Sequence, residues 1–134
     1  MIVVDASAMM EYLFTTGRGT LIAERLDDPE QVVAAPGLMD LEIAQVLRRW
    51  SLSGRVSEER AVMALEDLSD LNAGRWPHEP LIWRIWELRH NFTAYDAEYI
   101  ALAESLDATL LTCDRALAQA DVVNCDVEVI DSAL

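Results

Sequence analysis

Apolar positions along the chain follow two rhythms in alternation, and the alternation predicts an open α/β architecture. Residues 2–4, Ile-Val-Val, form a β-branched run ending at Asp5, which predicts a short buried strand. Ser7 is placed to cap a helix that follows, through about Thr15. After the break Thr-Thr-Gly-Arg-Gly, a second short helix is expected over Thr20–Leu26, stopped by Asp-Asp-Pro-Glu. Gln-Val-Val-Ala-Ala, residues 31–35, reads as a second strand closed by Pro36-Gly37. Ile43, Val46, Leu47 and Trp50 then recur at i, i+3, i+4 and i+7, one apolar helix face.

The second half repeats the scheme. Ser57 opens a helix with acids in its first turn, as the macrodipole favours, and Asn72-Ala73-Gly74 breaks it. Arg-Trp-Pro-His-Glu-Pro, residues 75–80, is either a short edge strand or a loop, because Pro77 has no N–H for a ladder. Pro80 suits the first position of a helix running to about His90. Thr93 with Asp96 three residues on marks the start of a helix over 93–106. Ala-Thr-Leu-Leu-Thr, residues 108–112, reads as a buried strand, 115–120 as a short helix and Val-Glu-Val-Ile, 127–130, as a last strand. Alternating strands and helices imply a parallel sheet covered on both faces: a three-layer α/β/α sandwich with four to five parallel strands, one domain over residues 1–134.

Composition narrows the chemistry. A hydrophobic content of 52% over 134 residues suits one core and excludes disorder. No run approaches the roughly 20 apolar residues of a membrane span. The N-terminus lacks a basic region of the signal-peptide kind, so a cytoplasmic protein without a membrane role is expected. Cys113 and Cys125 match no zinc spacing and read as small, reduced, half-buried side chains. The net charge is −14 and all ten basic residues are arginine. Such a chain is not an electrostatic nucleic-acid binder; it suits a metal site built from carboxylates, or a basic partner.

In open α/β sheets, sites form at the carboxyl ends of the strands. Asp5 ends the first strand, and Asp114 follows the strand 108–112 by one residue. Two carboxylates at one sheet edge repel unless something compensates, and a hard divalent cation is the usual compensation. Glu42 lies in the first turn of the helix expected after the second strand, where dipole stabilisation and ligation are both open to it. Asp114 could equally cap the short helix it precedes, and Asp40 reads as an N-cap. Asp96 shares a helix phase with Ile100 and Ala103, at the margin of the inward arc, whereas Glu98 and Ser105 fall on nearly the opposite side. An unpaired charge on that margin is costly, and a metal or an arginine would remove the cost.

Four blocks taken together, VVDASA, DLEIAQVLRR, TAYDAEYIALAE and LLTCDRALA, resemble the PIN-domain nucleases, and more narrowly the VapC toxins of type II toxin–antitoxin pairs. The resemblance covers the whole chain. It implies a PIN-like fold and carries Asp5, Glu42, Asp96 and Asp114 over as catalytic residues that bind Mg²⁺ or Mn²⁺. Thr112 and Ser7 match supporting hydroxyl positions. The activity implied is hydrolysis of RNA phosphodiester bonds, leaving 5′-phosphate and 3′-hydroxyl ends. The partners implied are a VapB-type antitoxin, which covers the site, and a second copy in a homodimer. Some family members carry a further acid soon after the fourth; here Asp121 is seven residues on. Arg115, beside Asp114, is the first choice for a phosphate contact, with Arg18, Arg48, Arg49, Arg84 and Arg89 behind it. Met-Met-Glu-Tyr-Leu-Phe, residues 9–14, is rich in the adaptable side chains that suit partner contact. Trp83 and Trp86 share a helix face and fit core or dimer interface better than base stacking. His78 and His90 read as structural.

Two other acid-site folds fail on composition. A phospho-acceptor receiver needs a lysine, and the chain has none. A haloacid-dehalogenase-type phosphatase needs a second Asp where Ser7 stands, and a lysine as well. A non-catalytic PIN-like binding module and a DNA nuclease remain as alternatives.

Overall fold

The computed structural model describes residues 1–131. Five parallel strands form one sheet: β1 (Ile2–Val4), β2 (Val33–Pro36), β3 (Ala73–Trp76), β4 (Thr109–Thr112) and β5 (Val127–Val129), in the order β3-β2-β1-β4-β5. β1 and β2 are buried at every position, as expected of central parallel strands. Among the described residues the helices are α1 (Ala6–Leu13), α2 (Gly17–Leu26), α3 (Leu38–Leu52), α4 (Glu58–Asp70), α5 (Ile82–Glu87) and α6 (Ala94–Leu106), with 3₁₀ turns at Glu79–Leu81 and Arg115–Ala118.

From β1 the chain steps outward through β2 to β3, then returns past β1 to β4 and β5. Right-handed crossovers therefore put α1–α4 on one face and α5 and α6 on the other. The packing agrees: α1 touches α2, α3 and α4, while α6 lies across β1, β2 and β4 and against α5. The expected three-layer arrangement is present, with β3 as the fifth strand. Ala73-Gly74, whose composition suggests a break, instead begins β3, which pairs with β2 in register from Val33↔Ala73 to Pro36↔Trp76. An edge strand tolerates that glycine and the proline that follows, because one of its sides needs no partner.

Several local signals resolve differently in the structure. Asp5, not Ser7, caps α1: its carboxylate accepts from the Ala8 N–H at 2.9 Å. α2 starts at Gly17, three residues earlier than the apolar pattern indicates, because the Thr16 hydroxyl accepts from the Gly19 N–H at 3.0 Å. α3 begins after Gly37 with no side-chain cap, and Asp40, inside its first turn, forms a two-bond pair with Arg75 of β3 at 2.8 and 2.9 Å. Ser57 and Thr93 cap α4 and α6 as expected. Trp83 and Trp86 are not core: they are 77% and 60% exposed, while Leu81, Ile85 and Leu88 supply the buried side of that segment.

α1 and α2 pack backbone to backbone. A Cβ built on Gly19 would stand 2.1 Å from the Glu11 carbonyl oxygen, a clash that neither backbone can relieve without moving. Gly19→Ala is therefore expected to destabilise the fold by about 2–3 kcal/mol, the usual cost of overpacking; chemical denaturation of the variant against the parent checks this.

Candidate active site

β1 and β4 are neighbours whose connections leave toward opposite faces, so the crevice at their carboxyl ends is the topological switch point, where such sheets bind ligands. Asp5 and Asp114 stand at those two strand ends. Asp5 is 6% exposed and Thr112 is fully buried. One Asp5 oxygen accepts from Ala8 N–H and, at 2.7 Å, from the Ser7 hydroxyl; the other accepts from the Thr112 hydroxyl. Thr112 Oγ1 in turn accepts from the Asp114 N–H at 2.9 Å, and Ser7 Oγ from the Cys113 N–H at 3.1 Å. Both supporting hydroxyls expected from sequence thus knit the end of β1 to the loop after β4. Asp114 also caps the 3₁₀ turn after it, accepting from Ala116 N–H at 2.9 Å. Its two possible roles are compatible, since capping engages one carboxylate oxygen.

Glu42 comes from the second turn of α3, after β2, rather than the first, because α3 already begins at Leu38. Its Oε1 accepts from the Tyr99 hydroxyl of α6 at 2.6 Å. Asp96 comes from the first turn of α6, whose start is fixed by the bond from Asp96 N–H to Thr93 Oγ1 at 3.1 Å. No strand precedes α6 directly, but α6 leads into β4 after two residues. A helix that packs on a sheet and feeds the next parallel strand must start at the carboxyl edge, and this brings Asp96 to the same crevice.

Electrostatics tie the acids together. Burial raises the Asp5 pKa most, its three hydrogen bonds lower it, and the Asp96 charge raises it again. Burial raises Glu42, the Tyr99 hydrogen bond offsets part of this, and the charges on Asp96 and Asp5 add to the rise. Asp96 is raised by burial and then by Asp114. The Tyr99 hydroxyl, buried and bonded to Glu42, is driven far above its ordinary value and stays a neutral donor. The four acids form one interacting set, and among the described residues no ion pair neutralises any of them. Four hard oxygen donors that resist sharing a crevice as anions fit a divalent cation. No three of the described acids, histidines and cysteines are already drawn into a cage.

The other candidates have these surroundings. Arg115 is held in a two-bond pair with Asp131 at 2.9 and 2.7 Å. His78 is exposed and 3.9 Å from Glu79. Cys113 and Cys125 are free thiols. Burial pushes Cys125 up to about 11 and Cys113 upward as well, and the nearby Arg18 guanidinium draws Cys113 back down. Glu98 is a finding that helix phase missed. It is only 6% exposed, and burial raises its pKa, with His78 opposing and Glu42 adding to the rise. α6 is buried continuously from Ala97 to Ala103, because it is covered by the sheet and by α5, so phase does not divide it into wet and dry sides. The signal was available in sequence as a helix that is apolar nearly all round.

An open parallel sheet that gathers four carboxylates at its switch point defines a class of α/β proteins with carboxylate sites. The pattern of the PIN domain matches residues 2–123. Ribonuclease VapC1 of Mycobacterium tuberculosis is 43% identical over 129 residues, 96% of each chain. The chain belongs to the PIN-domain family, on its VapC branch. Its fold is that of PAE2754 from Pyrobaculum aerophilum (TM-score 0.71, 25% identity, 96% of this chain and 83% of that one). It also matches a crystal structure of VapBC2 from Rickettsia felis bound to a DNA fragment from their promoter (TM-score 0.72, 13% identity, 98% and 100%).

Because Asp5, Glu42 and Asp96 hold protons to higher pH when folded than when unfolded, metal-free stability falls as pH rises from about 4 through their raised values. Asp96→Asn removes one of the repelling charges. Without metal it is expected to raise the melting temperature at pH 7 by about 2–4 °C and to make the fall with pH shallower. Thermal melts of both proteins between pH 5 and 7.5 check the sign.

Proposed function

We propose that this chain is a divalent-metal-dependent endoribonuclease and the toxin of a toxin–antitoxin pair. The observation that carries this is the set of four mutually repelling carboxylates, Asp5, Glu42, Asp96 and Asp114, around one switch-point crevice. The name of the M. tuberculosis relative, a ribonuclease, supports RNA as the substrate. Asp5, Asp96 and Asp114 would hold Mg²⁺ or Mn²⁺ with Glu42. Bound there, the ion supplies a water of lowered pKa and offsets charge developing on the scissile phosphate. Thr112 and Ser7 fix the Asp5 carboxylate so that it meets the crevice in one orientation. Tyr99 occupies one Glu42 oxygen and leaves the other free to act. Asp96 supplies a charge on a rigid helix start. No histidine is needed as general base. All four acids being present weighs against a non-catalytic module.

The antitoxin partnership is supported by the fold shared with R. felis VapBC2 and by the net charge of −14. A groove of about 720 Å³, away from the four acids, is lined by Tyr12 and Leu13 and by Asp27, Asp67 and Asp70, which suits a basic, partly apolar segment. Tyr12 belongs to the stretch 9–14 expected to meet a partner; Met9 and Leu13 are buried. The exposed Ile82, Trp83 and Trp86 of α5 support self-association into a homodimer. A cytoplasmic site of action suits an enzyme that meets cellular RNA; among the described residues no helix is long and apolar enough to cross a membrane.

The test is direct. Purified protein incubated with total RNA and Mg²⁺ or Mn²⁺ should cut it at defined positions, leaving 5′-phosphate ends. EDTA should abolish cutting, and Asp96→Asn should reduce it by about 100-fold or more, as loss of a charge-stabilising group at the reacting centre does. Cutting that survives both would sink the mechanism. Thr112→Val keeps the shape but removes the bond to Asp5. It is expected to weaken Mn²⁺ binding about 10-fold, the cost of losing a group that orients a ligand, as read by calorimetric titration.

A further inference from the structure

How many oxygens each acid can offer decides which cation a carboxylate site accepts. Ca²⁺ takes about six to eight oxygens and readily uses both oxygens of one carboxylate, whereas Mg²⁺ demands a near-ideal octahedron, which the narrow bite of a two-oxygen carboxylate distorts. Hydrogen bonds already divide the oxygens of this crevice. Asp5 has both engaged, one by the Ala8 N–H and the Ser7 hydroxyl and the other by the Thr112 hydroxyl. One Asp114 oxygen accepts from the Ala116 N–H at 2.9 Å. Glu42 Oε1 accepts from the Tyr99 hydroxyl at 2.6 Å.

Glu42 is set differently from the aspartates. Its side chain has one more rotatable bond, and among the described residues its hydrogen-bond partner is a single side chain from the opposite layer, Tyr99. Tyr99 is 2% exposed, so bulk water does not compete for the bond. It follows Asp96 by three residues on the same side of α6, whose start Thr93 fixes, and it thereby sets Glu42 against Asp96. A phenylalanine would fill the same space in the core; the hydroxyl is the part that reaches Glu42. We propose that Tyr99 is a positioning residue that holds Glu42 as a single-oxygen donor and so selects Mg²⁺ over Ca²⁺ at this crevice. With Oε1 engaged, Glu42 is left to meet a cation through its other oxygen, the manner that suits an octahedral ion. This rests on the metal-dependent reading above.

Displacement of Mn²⁺ from the protein by Mg²⁺ or by Ca²⁺, read as free Mn²⁺ by electron paramagnetic resonance, gives both affinities without RNA. The parent should prefer Mg²⁺. Tyr99→Phe frees Oε1 and should raise the ratio of Ca²⁺ to Mg²⁺ affinity about 10-fold, the scale on which the groups behind a ligand tune a metal site. In a Glu42→Ala background, Tyr99→Phe should leave the ratio unchanged, because the interaction it removes is already gone. A merely structural role for Tyr99 would weaken both ions alike. An unchanged ratio in Tyr99→Phe, a change of the same size without Glu42, or a parent that prefers Ca²⁺ overturns the assignment. Infrared difference spectra of the Mg²⁺-loaded parent against Glu42→Ala test the same point without altering Tyr99. The carboxylate stretches should report one-oxygen ligation by Glu42, and two-oxygen ligation overturns the assignment. If the parent cuts RNA with Mg²⁺ while any of these contrary results is obtained, the role of Tyr99 falls and the nuclease reading stands. If the parent neither binds a divalent ion nor cuts RNA, both fall. Metal-free melting curves for every variant exclude loss of fold as the cause.

Discussion

The structure turns on the carboxylate of Asp5. It is almost fully buried, and its two oxygens accept hydrogen bonds from three donors, one on the far side of the gap between β1 and β4. That gap is the one place in the sheet where neighbouring strands send their connections to opposite faces. Asp5 therefore caps the first helix of one layer and clasps the strand that belongs to the return path of the other. A buried carboxylate is retained at a cost in desolvation. Here the cost is partly offset by hydrogen bonds that also fix the site's geometry. Among the described residues, no ion pair offsets the repulsion among Asp5, Glu42 and Asp96.

Much of this is legible in the sequence. Strand and helix alternation implies the parallel sheet, and the ends of β1 and β4 can be read directly because a β-branched or leucine-rich run stops at an acid. Asp96 is harder, since no strand precedes its helix. The missing step is that a helix feeding the next parallel strand starts at the same edge at which the preceding strand ends. The short interval from Leu106 to Thr109 already contains that information.

The errors have physical reasons. Ser7 and Asp5 both have cap chemistry, and the sequence cannot say which of two nearby candidates takes the exposed N–H; Asp5 takes it and Ser7 supports Asp5. Asp40 resembles a cap because its partner, Arg75, is 35 residues away and becomes its neighbour only when β3 joins the sheet. Glu98 resembles a solvated residue because helix phase assumes one wet side, whereas α6 is enclosed by sheet and helix together. Arg115, beside Asp114 in sequence, forms an exposed two-bond pair with Asp131, a contact that adjacency in sequence does not reveal.

The bond between Tyr99 and Glu42 joins α6 to α3, and these helices belong to opposite layers of the sandwich. The acids they carry therefore move with the layers. The thickness of the core beneath, set by side chains such as Ile43 and Ile100, is at the same time the calliper that sets the spacing of Glu42 and Asp96 across the crevice. Interior volume in this fold thus acts as a ruler for the site, and core substitutions far from the crevice can alter the spacing of its carboxylates.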